Sequence, residues 1–290
     1  NFTTEEPTRF NFGCLGSRMM CGATSAAEAE ALAAGDGKTF GEWRRLGGYS
    51  GDLASVCCGD DHFDSFVELH IEQGPILEEK KLDIGAVTHI AAPASYGLTV
   101  TGEGGHAGAV LMPERKDAFM GAAEIALALE HTALNSGSPD TVATMGVVEV
   151  HPGAINGIPN RVELGIDVRD VDLASRDRVL ETFRAKTAEI CERRGLEHAW
   201  QEYNCDPPAT CEPRIVEAIN SAAKEFNLSC QRMVSRAYHD AVFMSRLAPT
   251  AMIFIPCYKG YSHRPDEFSS PEEIANGVRV LARTLQEVAG

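Results

Sequence analysis

Two adjacent glutamates and two distant histidines are the residues of this chain whose types best suit metal chemistry. Glu5 and Glu6 lie in Phe-Thr-Thr-Glu-Glu-Pro-Thr-Arg-Phe, His70 in Leu-His-Ile-Glu-Gln-Gly, and His263 in Gly-Tyr-Ser-His-Arg-Pro-Asp-Glu. Two neighbouring carboxylates cannot both be buried without a cation, because like charges repel and desolvation is costly. With a divalent ion present, one glutamate could bind it while the other transfers a proton. The pattern predicts a metal-dependent hydrolase, with a solvated acidic loop as the alternative for the glutamates.

Each histidine also has a simpler interpretation. His70 lies near the end of an alternating stretch, residues 65–71, and could be a hydrogen-bonded histidine of a core strand. His263 follows Gly260 and precedes Pro265, in a loop that presents side chains rather than packing them. A surface loop histidine is the alternative there.

Another group of donors surrounds His62. Asp60, Asp61 and Asp64 lie within a few residues of it, directly before the predicted strand that contains His70. We interpret this group as an acidic loop, with a metal site as the alternative.

His106 is flanked by glycines in Gly-Gly-His-Ala-Gly. Glycines allow close backbone approach and unusual dihedral angles, which suits a presented imidazole. As a donor aimed at a developing oxyanion, such a side chain is worth a few kcal/mol. The alternative is a glycine-rich turn in which the histidine is incidental.

Two further polar positions could bind a substrate. Arg169 follows an alternating strand and could fork onto a carboxylate, although a salt bridge with Asp167 or Asp170 is the alternative. Tyr238-His239-Asp240 places an imidazole beside a carboxylate, but as a bare tripeptide it is a weak signal.

The predicted elements divide the chain into an α/β part and an insertion. Strands are predicted over 65–71, 86–90 and 250–255, with helical segments within 12–48 and helices over 213–226 and 271–288. Between them, residues 95–205 follow the order βαββαβ, which is that of a ferredoxin-like module. We therefore expect a mixed-sheet catalytic domain made of residues 1–94 and 206–290, with the module inserted into it.

Composition excludes several classes of partner. The 290 residues carry a formal net charge of −16, which argues against nucleic acid or an anionic membrane surface. No apolar run is long enough to span a bilayer. The nine cysteines lack paired metal-binding spacing, so mostly buried free thiols are expected. Because the chain begins at Asn1 without Met, we expect that residues upstream of it are missing, together with any targeting segment.

Taken together, the motifs resemble the amidohydrolase branch of the dinuclear metallopeptidase clan that includes aminoacylases. This branch contains allantoate amidohydrolase, ureidoglycolate amidohydrolase and the N-carbamoyl amino acid amidohydrolases, including β-ureidopropionase. The resemblance covers essentially the whole chain, and its motifs occur in the family's order: Glu-Glu-Pro-Thr-Arg-Phe, Leu-His-Ile-Glu-Gln-Gly-Pro, Gly-His-Ala-Gly, Asn-Gly-Ile-Pro, Asp-Val-Arg, Tyr-His-Asp and Ser-His-Arg-Pro-Asp-Glu.

The resemblance implies two divalent metal ions and a role for each motif. Glu5 would be the general base, while Glu6, His70 and His263 would bind metal. His106 would reach into the site of a partner subunit, which implies a homodimer formed through the inserted lid module. The implied substrate contacts are Gln73, Asn156, Arg169, Tyr238 and His239, with Arg169 holding a carboxylate.

Within this branch, Tyr238 favours a small anionic ureide. Allantoate and carbamoyl amino acid enzymes usually carry Gly-His-Asp there, whereas ureidoglycolate enzymes carry Tyr-His-Asp, and a phenol would fill space that allantoate's second ureido arm needs. The plant-type ureidoglycolate sub-branch is associated with manganese, with zinc also possible, and with the endoplasmic reticulum; otherwise a cytoplasmic location is expected. It implies cleavage of the ureido C–N bond of (S)-ureidoglycolate to glyoxylate, ammonia and carbon dioxide.

Two alternatives to ureidoglycolate hydrolysis follow from the same residues. One is hydrolysis of allantoate or of an N-carbamoyl amino acid. The other is a non-catalytic ureide-binding homologue, because the family's first metal-binding His and its bridging Asp should lie upstream of Glu5, and this chain contains no equivalent. A truncated enzyme is the interpretation that we favour.

Overall fold

The computed structural model describes residues 2, 4–59 and 62–290 and divides the chain into two compact units. The first unit contains Asn1–Ile90 and Ala209–Gly290, and the second contains Ala91–Pro208. The second unit therefore starts earlier and ends later than the predicted range 95–205. Asp60 and Asp61, which the sequence assigned to an acidic loop, lie outside the described residues.

The first unit opens with short helices and two strands of its sheet. In chain order these elements are α1 (Leu15–Met20), α2 (Ala26–Ala31), α3 (Phe40–Leu46), β1 (Phe66–Ile71), α4 (Ile76–Lys80) and β2 (Ile84–Ile90). Capping boxes start two of these helices, since Ser25 pairs with Glu28 and Thr39 with Glu42. The helical interpretation of residues 12–48 is confirmed.

The second unit is a four-stranded antiparallel sheet with two long helices. Its elements are β3 (Ala92–Thr101), β4 (Gly105–His106), α5 (Ala118–Leu134), β5 (Val142–His151), β6 (Gly157–Ile158), β7 (Arg161–Asp170), α6 (Leu173–Arg194) and β8 (Glu197–Cys205). The main strands follow the order β5-β7-β3-β8, and β4 pairs with β6 apart from them. Along the chain these main strands and helices follow the predicted order βαββαβ.

The chain then returns to the first unit and completes its sheet. The remaining elements are β9 (Ala209–Thr210), α7 (Pro213–Glu225), β10 (Cys230–Ser235), α8 (Ala241–Met244), β11 (Thr250–Ile255) and α9 (Pro271–Ala289). The sheet order is β1-β11-β2-β10, with β9 paired to β2. β1 is parallel to β11 and β2 is parallel to β10, while β11 and β2 are antiparallel, so the predicted mixed sheet is confirmed.

Strand β10 and helix α8 were not predicted from the sequence. Among the described strands, β10 is an edge strand that pairs with β2 alone, and only Met233 and Ser235 in it are buried. Its sequence, Cys-Gln-Arg-Met-Val-Ser, therefore lacks the apolar alternation of a half-buried strand. β11 is buried along its whole length and was predicted with the same bounds.

The apolar core of the first unit lies between its sheet and the long helices. It includes Ile84, Ile215, Ile219, Phe243 and Phe254, all of which are fully buried. All nine cysteines are free, as expected, although only four of them are buried. Within the described residues, no helix combines the length and the apolar character that a bilayer crossing requires.

Candidate active site

Four acidic and imidazole side chains of the first unit converge on one point. The Oε1 atom of Glu5 lies 3.4 Å from Nδ1 of His239 and 3.8 Å from Nε2 of His70. Oε1 of Glu68 lies 3.9 Å from the same Nδ1 of His239. One donor atom from each of the four residues lies within 4.8 Å of the other three. We call Glu5, Glu68, His70 and His239 the donor cluster.

Strand β1 supplies two members of the donor cluster. Glu68 and His70 are two residues apart on the strand, so their side chains point to the same face. Nδ1 of His70 lies 2.8 Å from the carbonyl oxygen of Ile71, to which it donates. In the neutral ring, Nε2 therefore carries a lone pair, and this lone pair faces the carboxylate of Glu5.

The loop between β10 and α8 supplies His239, whose side chain is fully buried. Nε2 of His239 lies 3.0 Å from Oγ of Ser235, and the Ser235 hydroxyl donates to the carbonyl oxygen of Ala237 at 3.0 Å. Nε2–H is therefore the donor to Ser235, and Nδ1 faces Glu5 and Glu68, so that it donates to Glu5 when the ring carries a proton on both nitrogens.

The carboxyl groups of Glu5, Glu68 and the neighbouring Asp240 would concentrate negative charge in and beside the donor cluster if all three were ionised. Burial raises the pKa of Glu68 to about 8, and the nearby carboxylates of Glu5 and Asp240 add to this rise. Burial also raises the pKa of Asp240 to about 6, against the lowering effect of its hydrogen bond from Ser17. By contrast, the hydrogen bond with His239 lowers the pKa of Glu5. A bound cation would relieve this excess charge.

Glu6 and His263 form a second, more exposed pair next to the donor cluster. Nε2 of His263 lies 2.9 Å from Oε1 of Glu6, and their side chains are 67% and 47% exposed. Both line a cavity of about 750 Å³ together with Glu5, His70 and Gln73. Five predicted site residues, taken from the two ends of the first unit, thus share one cavity.

A close backbone contact positions the loop that carries His263. Gly260 has a φ of +67°, and a Cβ atom there would lie 2.5 Å from the carbonyl carbon of Gly74. Only glycine fits this approach without a shift of the backbone. Ser262, two residues later, accepts a hydrogen bond of 2.8 Å from Nε2 of Gln73. The loop is therefore fixed against the segment that follows His70.

Tyr238 is not among the residues that line the cavity. Its hydroxyl accepts a hydrogen bond of 2.8 Å from Nη2 of Arg18, and its ring centroid lies 5.6 Å from that of Phe243. The sequence predicts that this phenol limits substrate size, and that role stays a prediction. In the first unit the ring packs between Arg18 and the apolar core.

The second unit contains three of the predicted site residues. His106 and Gly157 are paired residues of β4 and β6, and the Ala107 N–H donates to the Asn156 carbonyl oxygen at 2.9 Å, so His106 and Asn156 lie close together. Nδ1 of His106 accepts a hydrogen bond from the Gly108 N–H at 3.1 Å. The neutral ring therefore carries its proton on Nε2.

Arg169 forms the salt bridge that the sequence left open as an alternative. Its Nε donates to Oδ1 of Asp167 at 2.7 Å, and Nη2 donates to Oδ2 at 3.3 Å. Ser95 donates to the same carboxylate at 3.1 Å. The guanidinium is thus oriented by Asp167, and its role toward a substrate remains a prediction.

Sequence reasoning missed Glu68 and the groups that hold the Tyr-His-Asp loop. Glu68 lies two residues before His70 in an alternating strand, so the spacing alone would have placed both on one face. Ser17 and Arg18 gave no comparable signal, because they contact residues 238–240 only after the chain has folded.

Comparison with known proteins gives consistent results. The model of the family described as Peptidase family M20/M25/M40 matches residues 2–287. A curated ureidoglycolate hydrolase of Arabidopsis thaliana is 50% identical over 295 residues, covering 99% of this chain and 62% of that protein. This chain therefore spans less than two thirds of that relative's length.

Two solved structures agree with this result. They are the crystal structures of AtUAH in complex with glyoxylate and in complex with (S)-hydroxyglycine, each with a TM-score of 0.87 and 50% identity. Each match covers 99% of this chain and 70% of the solved chain.

Proposed function

Because the chain belongs to Peptidase family M20/M25/M40, we propose that it is a metal-dependent amidohydrolase that cleaves the ureido C–N bond of (S)-ureidoglycolate. The observation that carries this proposal is the position of Glu5, whose carboxylate faces His70 and His239 at the wall of a cavity shared with Glu6 and His263. The ureidoglycolate hydrolase of Arabidopsis and the AtUAH complexes support the choice of substrate.

The residues of the first unit fit the divalent metals that the family implies. The Nε2 lone pair of His70 faces a carboxylate, an arrangement that is unfavourable unless a cation or a proton lies between them. We assign metal binding to Glu6, His70 and His263, with manganese as the expected metal and zinc as the alternative, since oxygen and nitrogen donors suit both. When bound, such a cation lowers the pKa of a water molecule and polarises a carbonyl group.

Glu5 is the proposed general base. The hydrogen bond with His239 lowers its pKa, which keeps the carboxylate ionised and able to accept a proton from the attacking water. Glu5 would then return this proton to the departing nitrogen. Cleavage of the C–N bond releases hydroxyglycine and a carbamate, and these break down to glyoxylate, ammonia and carbon dioxide.

The proposed substrate contacts come from both units. In the first unit, Gln73 lines the cavity and His239 lies against Glu5. In the second unit, we propose that Arg169 and Asn156 hold the substrate carboxylate, and that Nε2–H of His106 donates to the oxyanion. The His106 ring supports this role, because its Nδ1 is already occupied as an acceptor.

We also propose that the second unit forms a homodimer, with His106 serving the partner's site. Met120, Leu127 and Leu134 recur at intervals of seven on α5 and are 46%, 67% and 79% exposed. The neighbouring strand β5 is at the edge of its sheet and exposes Val147 and Val148. Exposed apolar surface of this kind beside an open strand edge is typical of an interface. The oligomeric state in solution, measured by light scattering, tests this proposal.

Ammonia release from three substrates tests the proposed activity. The manganese-loaded protein should release ammonia from (S)-ureidoglycolate far faster than from allantoate or an N-carbamoyl amino acid. Preference for either competitor would reassign the substrate within the family. Absence of bound metal after manganese loading would favour the non-catalytic, ureide-binding alternative. The endoplasmic reticulum, expected from the plant-type resemblance, is tested by cell fractionation.

A further inference from the structure

We propose that Arg18 and Tyr238 are a positioning pair that sets the place of His239 beside Glu5. This inference rests on the proposed function, because it assigns the pair a role in the same hydrolytic site. The pair joins α1 to the loop between β10 and α8 through the 2.8 Å hydrogen bond from Nη2 of Arg18 to the Tyr238 hydroxyl.

The guanidinium of Arg18 is held in a defined place. The residue is only 9% exposed, and its Nε donates to the carbonyl oxygen of Gly13 at 3.1 Å. Its Cζ atom lies 4.3 Å from the ring centroid of Phe243 and 4.8 Å from that of Phe12. A planar cation that stacks on aromatic rings and donates in fixed directions can fix the position of the phenol oxygen.

The neighbouring residue, Ser17, contacts the same loop on the other side of His239. Its hydroxyl donates to Oδ1 of Asp240, and both residues are buried. Consecutive residues of α1 therefore contact residues 238 and 240, and His239 lies between these contacts.

The same segment also holds the backbone of Glu5. The Cys14 N–H donates to the Glu5 carbonyl oxygen at 2.8 Å. Residues 13–18 thus contact both the backbone of Glu5, the proposed base, and the loop that carries His239. The 3.4 Å separation between Glu5 Oε1 and His239 Nδ1 depends on this segment. An effect of the Tyr238 hydroxyl on activity would then act through the position of His239, because Arg18 donates to this hydroxyl.

Tyr238→Phe is the variant that tests the pair most directly. It keeps the ring that packs against Phe243 and removes only the oxygen that Arg18 contacts. We expect kcat to fall about 10-fold or more, since small misplacements at a reacting centre are costly. KM, metal content and melting temperature should change little. Tyr49→Phe, at an exposed position of the same unit, is the matched control.

A double-variant cycle separates positioning from packing. Arg18→Met should lower kcat as Tyr238→Phe does, and the double variant should fall no further than the worse single variant. Arg18→Lys should recover only part of the loss, because lysine lacks the guanidinium fork. Independent, multiplying effects of the two substitutions, or a Tyr238→Phe enzyme within twofold of the parent kcat, would overturn the proposal.

A measurement that does not depend on catalytic turnover keeps this inference separate from the proposed activity. In the metal-free protein, the ring ¹⁵N signals of His239, assigned by their loss in His239→Gln, should shift in Tyr238→Phe and remain in place in Tyr49→Phe. Unmoved His239 signals would refute the pair even in an active enzyme. If the protein does not hydrolyse ureidoglycolate but these signals shift, the proposed function fails and the positioning pair stands.

Discussion

Oε1 of Glu5 and Nδ1 of His239 face each other at 3.4 Å, although a long stretch of chain that includes the whole second unit separates them in sequence. Their contact brings a side chain from the start of the first unit to the loop that follows β10. It lowers the pKa of Glu5 and so keeps the proposed base ionised. Glu68, close to the same imidazole nitrogen, has its pKa raised by burial. The two carboxylates therefore differ in protonation because their surroundings differ.

Glu5→Gln should abolish proton transfer without emptying the site. The amide keeps the shape of the side chain but cannot accept a proton, so kcat should fall by roughly 10²–10⁴-fold. Turnover and metal content, measured by elemental analysis, test this expectation. Glu79→Gln, on the exposed face of α4, is the control. Loss of metal in Glu5→Gln would instead make Glu5 a ligand.

His263→Ala should weaken metal binding, because it removes a proposed ligand and leaves Glu6 without the imidazole at 2.9 Å. We expect the loss of affinity to exceed the roughly 10–100-fold that is typical of an outer-sphere partner. Calorimetric titration with Mn²⁺ measures it, and His198→Ala, at an exposed position of β8, serves as the control. Unchanged affinity would remove His263 from the ligand set.

Glu68→Gln should stabilise the metal-free protein, and more so as the pH rises. In the folded chain the pKa of Glu68 is raised to about 8 by burial, with Glu5 and Asp240 nearby. A carboxyl group whose pKa is raised on folding costs stability as the pH rises from its ordinary value toward the raised one. The gain should be small near pH 4 and on the order of 1–3 kcal/mol near pH 8.

Denaturant unfolding in the presence of a chelator measures this difference. The amide oxygen that Glu68→Gln introduces can still accept from the Ala241 N–H, which donates to Glu68 at 2.8 Å in the parent protein. An unfolding free energy that does not differ between the two proteins at any pH would contradict the predicted charge excess.

Arg169→Ala should mainly weaken substrate binding. Loss of a forked, charge-assisted contact should raise KM about 10-fold or more while metal content stays unchanged. Steady-state kinetics with (S)-ureidoglycolate test this expectation. Arg161→Ala, on the same strand and paired with Glu163, provides a matched control. An unchanged KM would show that Arg169 does not bind the substrate and only forms its salt bridge with Asp167.

Gly260→Ala should destabilise the first unit and disturb the loop of His263. The added Cβ would combine an unfavourable positive φ with a clash against the backbone of Gly74, at a cost of about 1–3 kcal/mol or more. Gly37→Ala is a matched control, because Gly37 has a φ of +81° and no heavy atom within 4 Å of the added Cβ. Thermal unfolding of both variants separates the clash from the backbone strain, and equal melting temperatures would argue against the clash.

Candidate metal-binding residues and most of the regular elements could be picked out from the sequence, because both depend on local patterns. Alternation located β1, and the run of apolar residues over 250–255 located β11. Contacts between side chains that are distant in sequence could not be predicted in the same way. Nothing local to Glu6 indicates a contact with His263, and nothing in residues 14–20 indicates a contact with Tyr238.

The Tyr238 prediction illustrates the limit most clearly. The sequence singles this residue out as distinctive, but its contacts depend on Arg18 and Phe243, which the sequence does not connect to it. A side chain's direction is decided by packing, whereas its identity alone indicates only its size and polarity. Glu68, by contrast, could have been found from the sequence. The alternation that located His70 also places Glu68, two residues earlier, on the same face of the strand.

The pairing of β1 with β11 has a consequence for synthesis on the ribosome. Phe66 lies opposite Thr250, so the first unit's sheet cannot close until β11 has been translated. The residues of the second unit are contiguous, so that unit is translated completely before β11 is. The nascent chain therefore carries Glu5, Glu6 and His70 without their histidine partners, and it acquires those partners only after residues 239 and 263 have left the ribosome. Such a late, long-range closure is slow, which makes the unpaired edge of β1 a candidate for chaperone protection.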